Sequence, residues 1–197
     1  MIARRFAVGF RDIPIDVEQV KSGLNSRETV VACRCVNVAL FLSGSIRRNV
    51  EVSVCVGDDA DLRVISFSGG RIKRVSPDER SISSFLLKAM LLLDKMHLGT
   101  VRFMDNGIVL SRTDLPNLVR GWSAQCVHIA DSSAHSNDWK NVSREGLFVY
   151  DLADVISRQR ASTWSVLLHR PSNPERFILD VNFHCDPLET SLLKKGS

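Results

Sequence analysis

Residues 34–50, which read RCVNVALFLSGSIRRNV, decide how the fold of this chain is interpreted. The stretch runs from an almost wholly apolar helix through a glycine turn and a pair of arginines into a strand. Helices that are apolar on every side seldom carry an arginine and an asparagine one turn apart. Arg34 and Asn37 are spaced i, i+3 and share one helix face, so in a buried setting each needs a partner or a ligand. This face is the first candidate for a functional surface.

Strands and helices alternate along the rest of the chain. Apolar and alternating segments predict strands at 6–10, 50–56, 62–67, 71–75, 108–110, 125–130, 147–150, 164–169 and 177–183, with 62–67 and 71–75 paired as a hairpin. Capping signals predict a helix from Asn25 to about Ser43 and another from Ser76 to about residue 97, with short helices ending near residues 120 and 160. This alternation predicts an α/β fold with a largely parallel sheet. A chain of 197 residues that is 44% hydrophobic suits one domain, residues 1–197, around a single core.

The amino-acid composition limits the cellular compartment and the kinds of binding partner that we expect. The net charge of +4 and the isoelectric point near 8.9 permit a polyanionic partner but are well below the charge of a protein that coats nucleic acid. The five cysteines are odd in number and widely spread, which indicates reduced thiols and a cytoplasmic protein. No apolar run has the length of a membrane span, so we expect a soluble protein with no membrane partner. We expect no metal site at two candidate residue pairs. Cys33 and Cys35 are two apart on a helix and point to different faces. His184 and Cys185 have no second pair of ligands near them in the sequence.

Two short motifs contain residues that could bind a ligand. Arg47 and Arg48 are either solvated loop charges or a phosphate clamp, because arginine forks match phosphate oxygens. Residues 76–81, which read SPDERS, are explained by a capping box at the start of a helix. Helix N-termini also bind anions, and Arg80 adds a cation beside this one. From the residues alone, each motif can have either a structural or a ligand-binding function.

The two motifs together resemble a known family, the archaeal tRNA pseudouridine N1-methyltransferases (TrmY-type enzymes) of the SPOUT superfamily. That family carries a helix of the form RCVNxALFLS, then GIRRDV and a strand, and about thirty residues later NPDERS. This chain has RCVN at 34–37, ALFLS at 39–43, IRRNV at 46–50 and PDERS at 77–81. The departures are Asn49 where the family has Asp, and a variable pair at Gly44 and Ser45. The resemblance covers roughly residues 5–120.

The resemblance implies a SPOUT-type fold, with a mostly parallel sheet, helices on both faces and a C-terminal trefoil knot. It implies a homodimer that uses S-adenosyl-L-methionine to methylate N1 of a pseudouridine in the tRNA T-loop, at position 54. Carried over residue by residue, it predicts substrate-binding residues and catalytic residues on the RNA-facing side. The substrate-binding set is Arg34, Asn37, Arg47 and Arg48, and the catalytic pair is Asp78 and Arg80. A carboxylate or a guanidinium would assist loss of the weakly acidic N1 proton, and positive groups would hold a base that has left the loop stack.

The C-terminal third departs from the family pattern. Residues 147–195 contain no glycine, whereas the family places glycine in the cofactor loops, where backbone approaches the ligand closely. By position, Tyr150, Leu168 and Cys185 are the predicted cofactor-binding residues. The departure favours an alternative function, a catalytically inactive SPOUT-like module that binds tRNA or another structured RNA. A third possibility is that this third of the chain has become a protein-interaction surface.

Overall fold

The computed structural model describes residues 2–122, 126–134, 139, 142–154, 156 and 165–186. Within them the chain forms an eight-stranded sheet in the order β10-β8-β9-β1-β4-β5-β7-β6 and a separate two-stranded hairpin, β2-β3. The strands are β1 Arg4–Phe10, β2 Phe41–Leu42, β3 Ser45–Ile46, β4 Val50–Gly57, β5 Leu62–Ser68, β6 Thr100–Phe103, β7 Val109–Thr113, β8 Val127–Asp131, β9 Gly146–Asp151 and β10 Ser165–His169. The helices are α1 Val17–Ser22, α2 Arg27–Leu40, α3 Glu79–Leu93, α4 Leu115–Trp122 and α5 Pro174–Cys185.

The strands from β10 to β4 in the sheet order run parallel to one another, and β5, β7 and β6 continue the sheet with antiparallel pairing. Strand β1 lies at the centre, paired with β4 on one side and β9 on the other. Its apolar run is buried on both faces, as a central parallel strand requires. The predicted α/β fold with a mostly parallel sheet is therefore confirmed.

Helices cover both faces of this sheet. The larger core lies between one face and α2, α3 and α5, where side chains such as Phe6, Val54 and Ile178 are fully buried. The smaller core lies on the opposite face, where Leu115 of α4 packs with Leu62 and Val149. Segments 135–138, 140–141 and 157–164 belong to the connections between β8, β9 and β10, so the predicted trefoil knot and the predicted helix ending near residue 160 lie outside the described residues.

Both predicted helix starts were displaced along the chain. The N-cap of α2 is Ser26, whose Oγ accepts a hydrogen bond from the Thr29 amide, and not Asn25. The N-cap of α3 is Asp78 and not Ser76. Each segment contains consecutive polar residues that can all cap, and tertiary packing selects among them. The left-handed Gly44 does not end α2 but forms the turn of the β2–β3 hairpin.

Two predicted strands were wrong. Residues 71–75 form no strand, because β5 pairs with β4 and β7 instead. Residues 177–183 belong to helix α5, which begins with Pro174 in its first turn and buries one stripe of side chains against α2. The stripe consists of Phe177, Ile178, Val181, Asn182 and Cys185. Strand β6 and helix α1 were not predicted.

Candidate active site

A pocket near the centre of the sheet opens where the chain connections from two neighbouring strands lead to opposite sides. From β1 the chain continues to β4 on one side, and from β9 it continues to β10 on the other side. In open α/β sheets, ligands bind in the crevice outside the carboxyl ends of such a strand pair. A pocket of about 540 Å³ lies here, which is within the usual size range of small-molecule sites. We call it the edge pocket; it is lined by Phe10, Arg11, Asp12, Pro14, Arg27, Glu28, Val31, Leu152, Ser172, Asn173 and Pro174.

The edge pocket combines three kinds of surface. The first turns of α2 and α5 border it, so that two helix N-termini contribute positive potential. Arg11 and Arg27 stand beside the carboxylates of Asp12 and Glu28. The remaining wall is largely apolar. Such a pocket can hold a ligand that has a carboxylate, hydroxyl or ammonium groups, and an apolar ring.

None of these lining residues was predicted from the sequence. The available signal was the pair of charged residues, Arg11 and Asp12, directly after the buried strand β1. Side chains that follow parallel strands gather at the ligand-binding edge of a sheet.

Tyr150, a predicted cofactor residue, lies behind the wall of the edge pocket and not in it. Its side chain is buried, and its hydroxyl donates a hydrogen bond of 2.5 Å to the carbonyl oxygen of Pro171. The guanidinium of Arg170 lies 4.7 Å from the ring centroid and donates to the carbonyl of Asp151. Burial raises the pKa of the Tyr150 phenol, against a smaller lowering effect of Arg170. Tyr150 therefore positions the segment from β10 to α5 that forms one wall of the pocket.

The other two predicted cofactor residues are also in the core. Leu168 is buried in the larger core. Cys185 ends α5, and Arg4 at the start of β1 is among the charges next to its thiol. Because α5 begins at the edge pocket, its last residue lies about 16 Å away along the helix. Cys185 thus lies in the same core as Tyr150 and Leu168 but away from the edge pocket.

A second, smaller pocket lies next to the first on the surface of α2. It has a volume of about 230 Å³ and is lined by Cys33, Arg34, Asn37, Val38, Pro77, Glu79 and Glu175. Helix α2 contributes to both pockets, as does the first turn of α5, with Pro174 in one and Glu175 in the other. We call this second site the polar pocket. It brings together Arg34 and Asn37, the predicted substrate-binding pair of α2.

Within the polar pocket the amide of Asn37 donates from Nδ2 to the carbonyl oxygen of Pro77. Arg34 reaches outwards, with 63% of its side chain exposed, and its Nη1 lies 3.6 Å from Oε1 of Glu175. Burial, and secondarily the charge of Glu79, raise the pKa of the Cys33 thiol to about 12. The pocket therefore offers carboxylate, amide and guanidinium groups but no reactive thiolate.

The predicted catalytic pair lies at the rim of the polar pocket. Asp78 is exposed, and its Oδ1 accepts a hydrogen bond of 2.8 Å from the Ser81 amide, which caps α3. Arg80 is exposed on the first turn of the same helix. Pro77, which precedes them, is part of the pocket wall. The geometry accounts for the capping function of Asp78 and leaves a function in proton transfer as a prediction.

Arg47 and Arg48 do not join this rim. Arg47 has 11% of its side chain exposed; its Nε donates to Asp186 at 2.8 Å and its Nη1 to the carbonyl of Val38 at 3.1 Å. It thereby satisfies carbonyl groups that the end of α2 leaves without helical partners. Arg48 is exposed, and its Nη1 donates to the Gly69 carbonyl at 3.4 Å. In this structure Arg47 makes intramolecular contacts where a phosphate contact was predicted, because a cation next to a helix carboxyl end is attracted to the free carbonyls.

Among the residues that the structure describes, no three His, Cys, Asp or Glu side chains are grouped so that they could hold a metal ion. In the same set, no helix has both the length and the apolar composition needed to cross a bilayer.

Comparison with known proteins identifies the family to which the chain is similar. Residues 11–153 match the model of the family described as "Putative SAM-dependent RNA methyltransferase". The tRNA (pseudouridine(54)-N(1))-methyltransferase of Haloferax volcanii is 36% identical over 91 residues, which cover 44% of this chain and 43% of that protein. The enzyme of the same name from Methanococcus aeolicus is 34% identical over 113 residues, covering 57% and 50%. The Methanococcus maripaludis (strain C7) enzyme is 51% identical over 59 residues, covering 29% and 30%. The chain thus matches half or less of the length of these relatives.

One solved structure shows the same fold over nearly the whole chain. The crystal structure of Archaeoglobus fulgidus Nep1 bound to S-adenosylhomocysteine superposes with a TM-score of 0.60 at 10% identity, and the match covers 94% of this chain and 97% of that one. At this identity the likeness concerns the fold alone, and it agrees with the predicted mostly parallel sheet with helices on both faces. Because the family model spans well over half of the chain, the protein belongs to the family of S-adenosylmethionine-dependent RNA methyltransferases.

Proposed function

We propose that the protein transfers a methyl group from S-adenosyl-L-methionine to N1 of a pseudouridine in tRNA, at the position in the T-loop numbered 54. The observation that carries this proposal is the placement of two neighbouring pockets along α2. One has the size of a small-molecule site at the carboxyl edge of the sheet, and the other contains the residues of the RCVN and PDERS motifs. The relatives that are 34–36% identical over about half of the chain carry the corresponding name.

The edge pocket fits the chemistry of S-adenosylmethionine. The N-terminus of α5, where Asn173 makes no side-chain capping bond, suits the carboxylate of the methionine part. Asp12 and Glu28 suit the ammonium and ribose hydroxyl groups, and the apolar wall near Leu152 suits the adenine ring. The cofactor, when bound, supplies an electrophilic methyl group. Tyr150 acts through its hydrogen bond to Pro171, which holds one wall of the pocket in place.

The polar pocket and its rim suit the target nucleotide. Arg34 and Arg80 are exposed cations that can hold phosphates on either side of a flipped base. Asn37 offers an amide for a base edge. Asp78 or another carboxylate at this site would accept the proton that N1 loses. Arg48, also exposed, extends this basic surface.

A homodimer is part of the proposal. The outer face of α5 exposes two apolar side chains at i, i+4, namely Leu179, which is 43% exposed, and Phe183, which is 79% exposed. A large aromatic side chain on an otherwise packed helix is typical of an interface. Replacement of Phe183 by Asp is expected to convert a dimer to a monomer in light scattering. A wild-type protein that is monomeric at high concentration would contradict this part of the proposal.

The cytoplasm is the proposed location. All five cysteines are free thiols, and free thiols persist in a reducing compartment.

The experiment that tests the function combines calorimetric titration with S-adenosylmethionine and a methyl-transfer assay on tRNA that carries pseudouridine in its T-loop. We expect micromolar cofactor binding that Leu152→Trp abolishes, because the larger side chain fills the edge pocket. The matched control is Leu98→Trp, since Leu98 is also an exposed leucine but does not line the pocket. Cofactor binding that both variants retain would reject the edge pocket as its site.

The second candidate function is a catalytically inactive SPOUT-like module that binds RNA. The absence of glycine from residues 147–195 favours it. RNA binding without detectable affinity for S-adenosylmethionine or its demethylated product would decide for this alternative.

A further inference from the structure

The polar pocket contains a carboxylate whose hydrogen-bonding capacity the protein does not use. Glu79 Oε1 accepts a hydrogen bond of 2.8 Å from Asn25. Glu175 differs, because its Oε1 has an ion-pair contact of 3.6 Å with Arg34, and its buried Oε2 accepts no hydrogen bond from any residue in the described part of the chain. Of the two carboxylates of this pocket, Glu79 is exposed, and Glu175 is the one with a buried oxygen that lacks a partner among the described residues.

A ligand that donates a hydrogen bond would stabilise this carboxylate, which has only one long contact within the described residues. The Arg34 side chain is 63% exposed and held by that contact alone, so moving it aside costs little. Oε1 of Glu175, which lines the pocket, is then free to accept a hydrogen bond from the ligand.

The chemistry of the proposed substrate supplies such a donor. Pseudouridine is joined to ribose through carbon, so its ring carries an N1–H group that uridine lacks. We propose that Glu175 accepts a hydrogen bond from this N1–H and thereby selects pseudouridine over uridine, an inference that rests on the proposed function. Asn37, on the same wall of the pocket, is available for the other polar atoms of the base.

A structural function of Glu175 predicts different behaviour. An acidic residue in the first turn of α5 favours the helix dipole, and its replacement would then lower stability without altering base selectivity. Selectivity is therefore the property that separates the two functions.

The test measures equilibrium binding of two T-loop hairpin RNAs that differ by pseudouridine or uridine at the target position. S-adenosylhomocysteine is present, so that no methyl transfer occurs. Wild-type protein is expected to bind the pseudouridine hairpin about tenfold more tightly, as one hydrogen bond to a charged acceptor provides. Glu175→Met, which removes both acceptor oxygens at similar length, is expected to bring this ratio close to one while the affinity for the uridine hairpin stays the same. The control is Asp180→Asn, which removes an equal charge from the same helix at an ion pair with Arg176 away from the pocket.

Each outcome separates this inference from the function on which it rests. If wild-type protein and Glu175→Met show the same preference for pseudouridine, the assignment of Glu175 is overturned and the proposed function stands. If wild-type protein shows no preference yet methylates the pseudouridine hairpin when given S-adenosylmethionine, the result is the same. If it neither discriminates nor methylates, both fail. Circular dichroism and melting temperature confirm that each variant is folded.

Discussion

Two arginines, one on the pocket face of α2 and one that caps its carboxyl end, lie in opposite surroundings. Arg34 lies on the exposed wall of the polar pocket with a single loose contact. Arg47, just after the helix, is nearly buried and bonded to Asp186 and to the Val38 carbonyl. Arginine that is desolvated and multiply bonded stabilises the fold, whereas arginine that is exposed with spare donors is available to a ligand. The same helix therefore has a face that borders two pockets and a carboxyl end whose contacts hold α5 in place.

The carboxyl end depends on a cluster of three charges. Asp186 accepts hydrogen bonds from Arg47 at 2.8 Å and from Arg4 at 2.7 Å, and the Arg4 side chain is 4% exposed. Asn182 adds a hydrogen bond of 2.9 Å from its Nδ2 to the Val38 carbonyl. These contacts join the start of β1, the end of α2 and the end of α5.

Replacing Asp186 by Ala is expected to have the largest effect on stability. The change leaves two arginines with little exposure and no carboxylate partner, which costs about 3 kcal/mol. For a chain of this size the melting temperature should fall by about 6–12 °C. The measurement is thermal and urea unfolding, with Asp180→Ala as the control, because Asp180 belongs to an i, i+4 pair on the surface of the same helix. Equal effects of the two replacements would show that the cluster does not hold α5.

The two arginines can be compared directly by replacing each with Met. Arg47→Met is expected to lower the free energy of unfolding by about 2 kcal/mol, because Asp186 and the α2 carbonyls lose a partner. Arg34→Met should change it by less than about 0.5 kcal/mol, since an exposed ion pair contributes little.

RNA binding by the same two variants should show the reverse order. Arg34→Met is expected to weaken binding and to reduce the slope of log affinity against log salt by about 1, as the loss of one phosphate contact does. Arg47→Met, measured below its melting temperature, should keep the slope of the wild-type protein. A larger loss of slope in Arg47→Met would restore Arg47 as a phosphate contact and remove the distinction between the two arginines.

The secondary structure of α2 and the strand that follows it was predicted from the sequence better than that of α5. Buried runs such as 50–56 left little choice of structure, so β4 was placed nearly to the residue. In α5, Leu179, Val181 and Phe183 alternate with Asp180, Asn182 and His184, which satisfies strand periodicity as well as helical periodicity. The contacts with α2 decide for the helix, and they are not visible in a local pattern.

The candidate site was predictable only where its residues form a motif. Arg34 and Asn37 were selected because polar residues on an apolar helix need partners, and they line the polar pocket. The edge pocket was missed because it is assembled from segments far apart in the chain, including Phe10, Arg27 and Pro174. The parallel pairing of β1 with β9 and the packing of α2 against α5 bring these segments together.

The wall of the edge pocket gives a prediction of intermediate size. Tyr150→Phe removes the hydrogen bond to Pro171 and should lower the free energy of unfolding by about 1 kcal/mol. Because the segment that follows β10 is then held less firmly, affinity for S-adenosylmethionine should fall several-fold in calorimetry. An unchanged affinity at reduced stability would show that this tyrosine supports the core and not the pocket.

The smallest effect is expected in the labelling of the cysteine thiols, which shows whether the cofactor binds near Cys185. Burial raises the pKa of Cys33 to about 12 and also raises the pKa of Cys185, so both remain neutral and unreactive in the folded protein at pH 8. In the unfolded chain a thiol ionises near its ordinary value of 9.0. The stability that these buried thiols contribute is therefore complete below pH 9 and declines as the pH rises above it.

Alkylation followed by mass spectrometry should label exposed Cys126 first and leave Cys185 unlabelled, with and without S-adenosylmethionine. Labelling of Cys185 that the cofactor suppresses would instead place the ligand at the far end of α5, next to the ion cluster, and would merge the two regions that the structure separates.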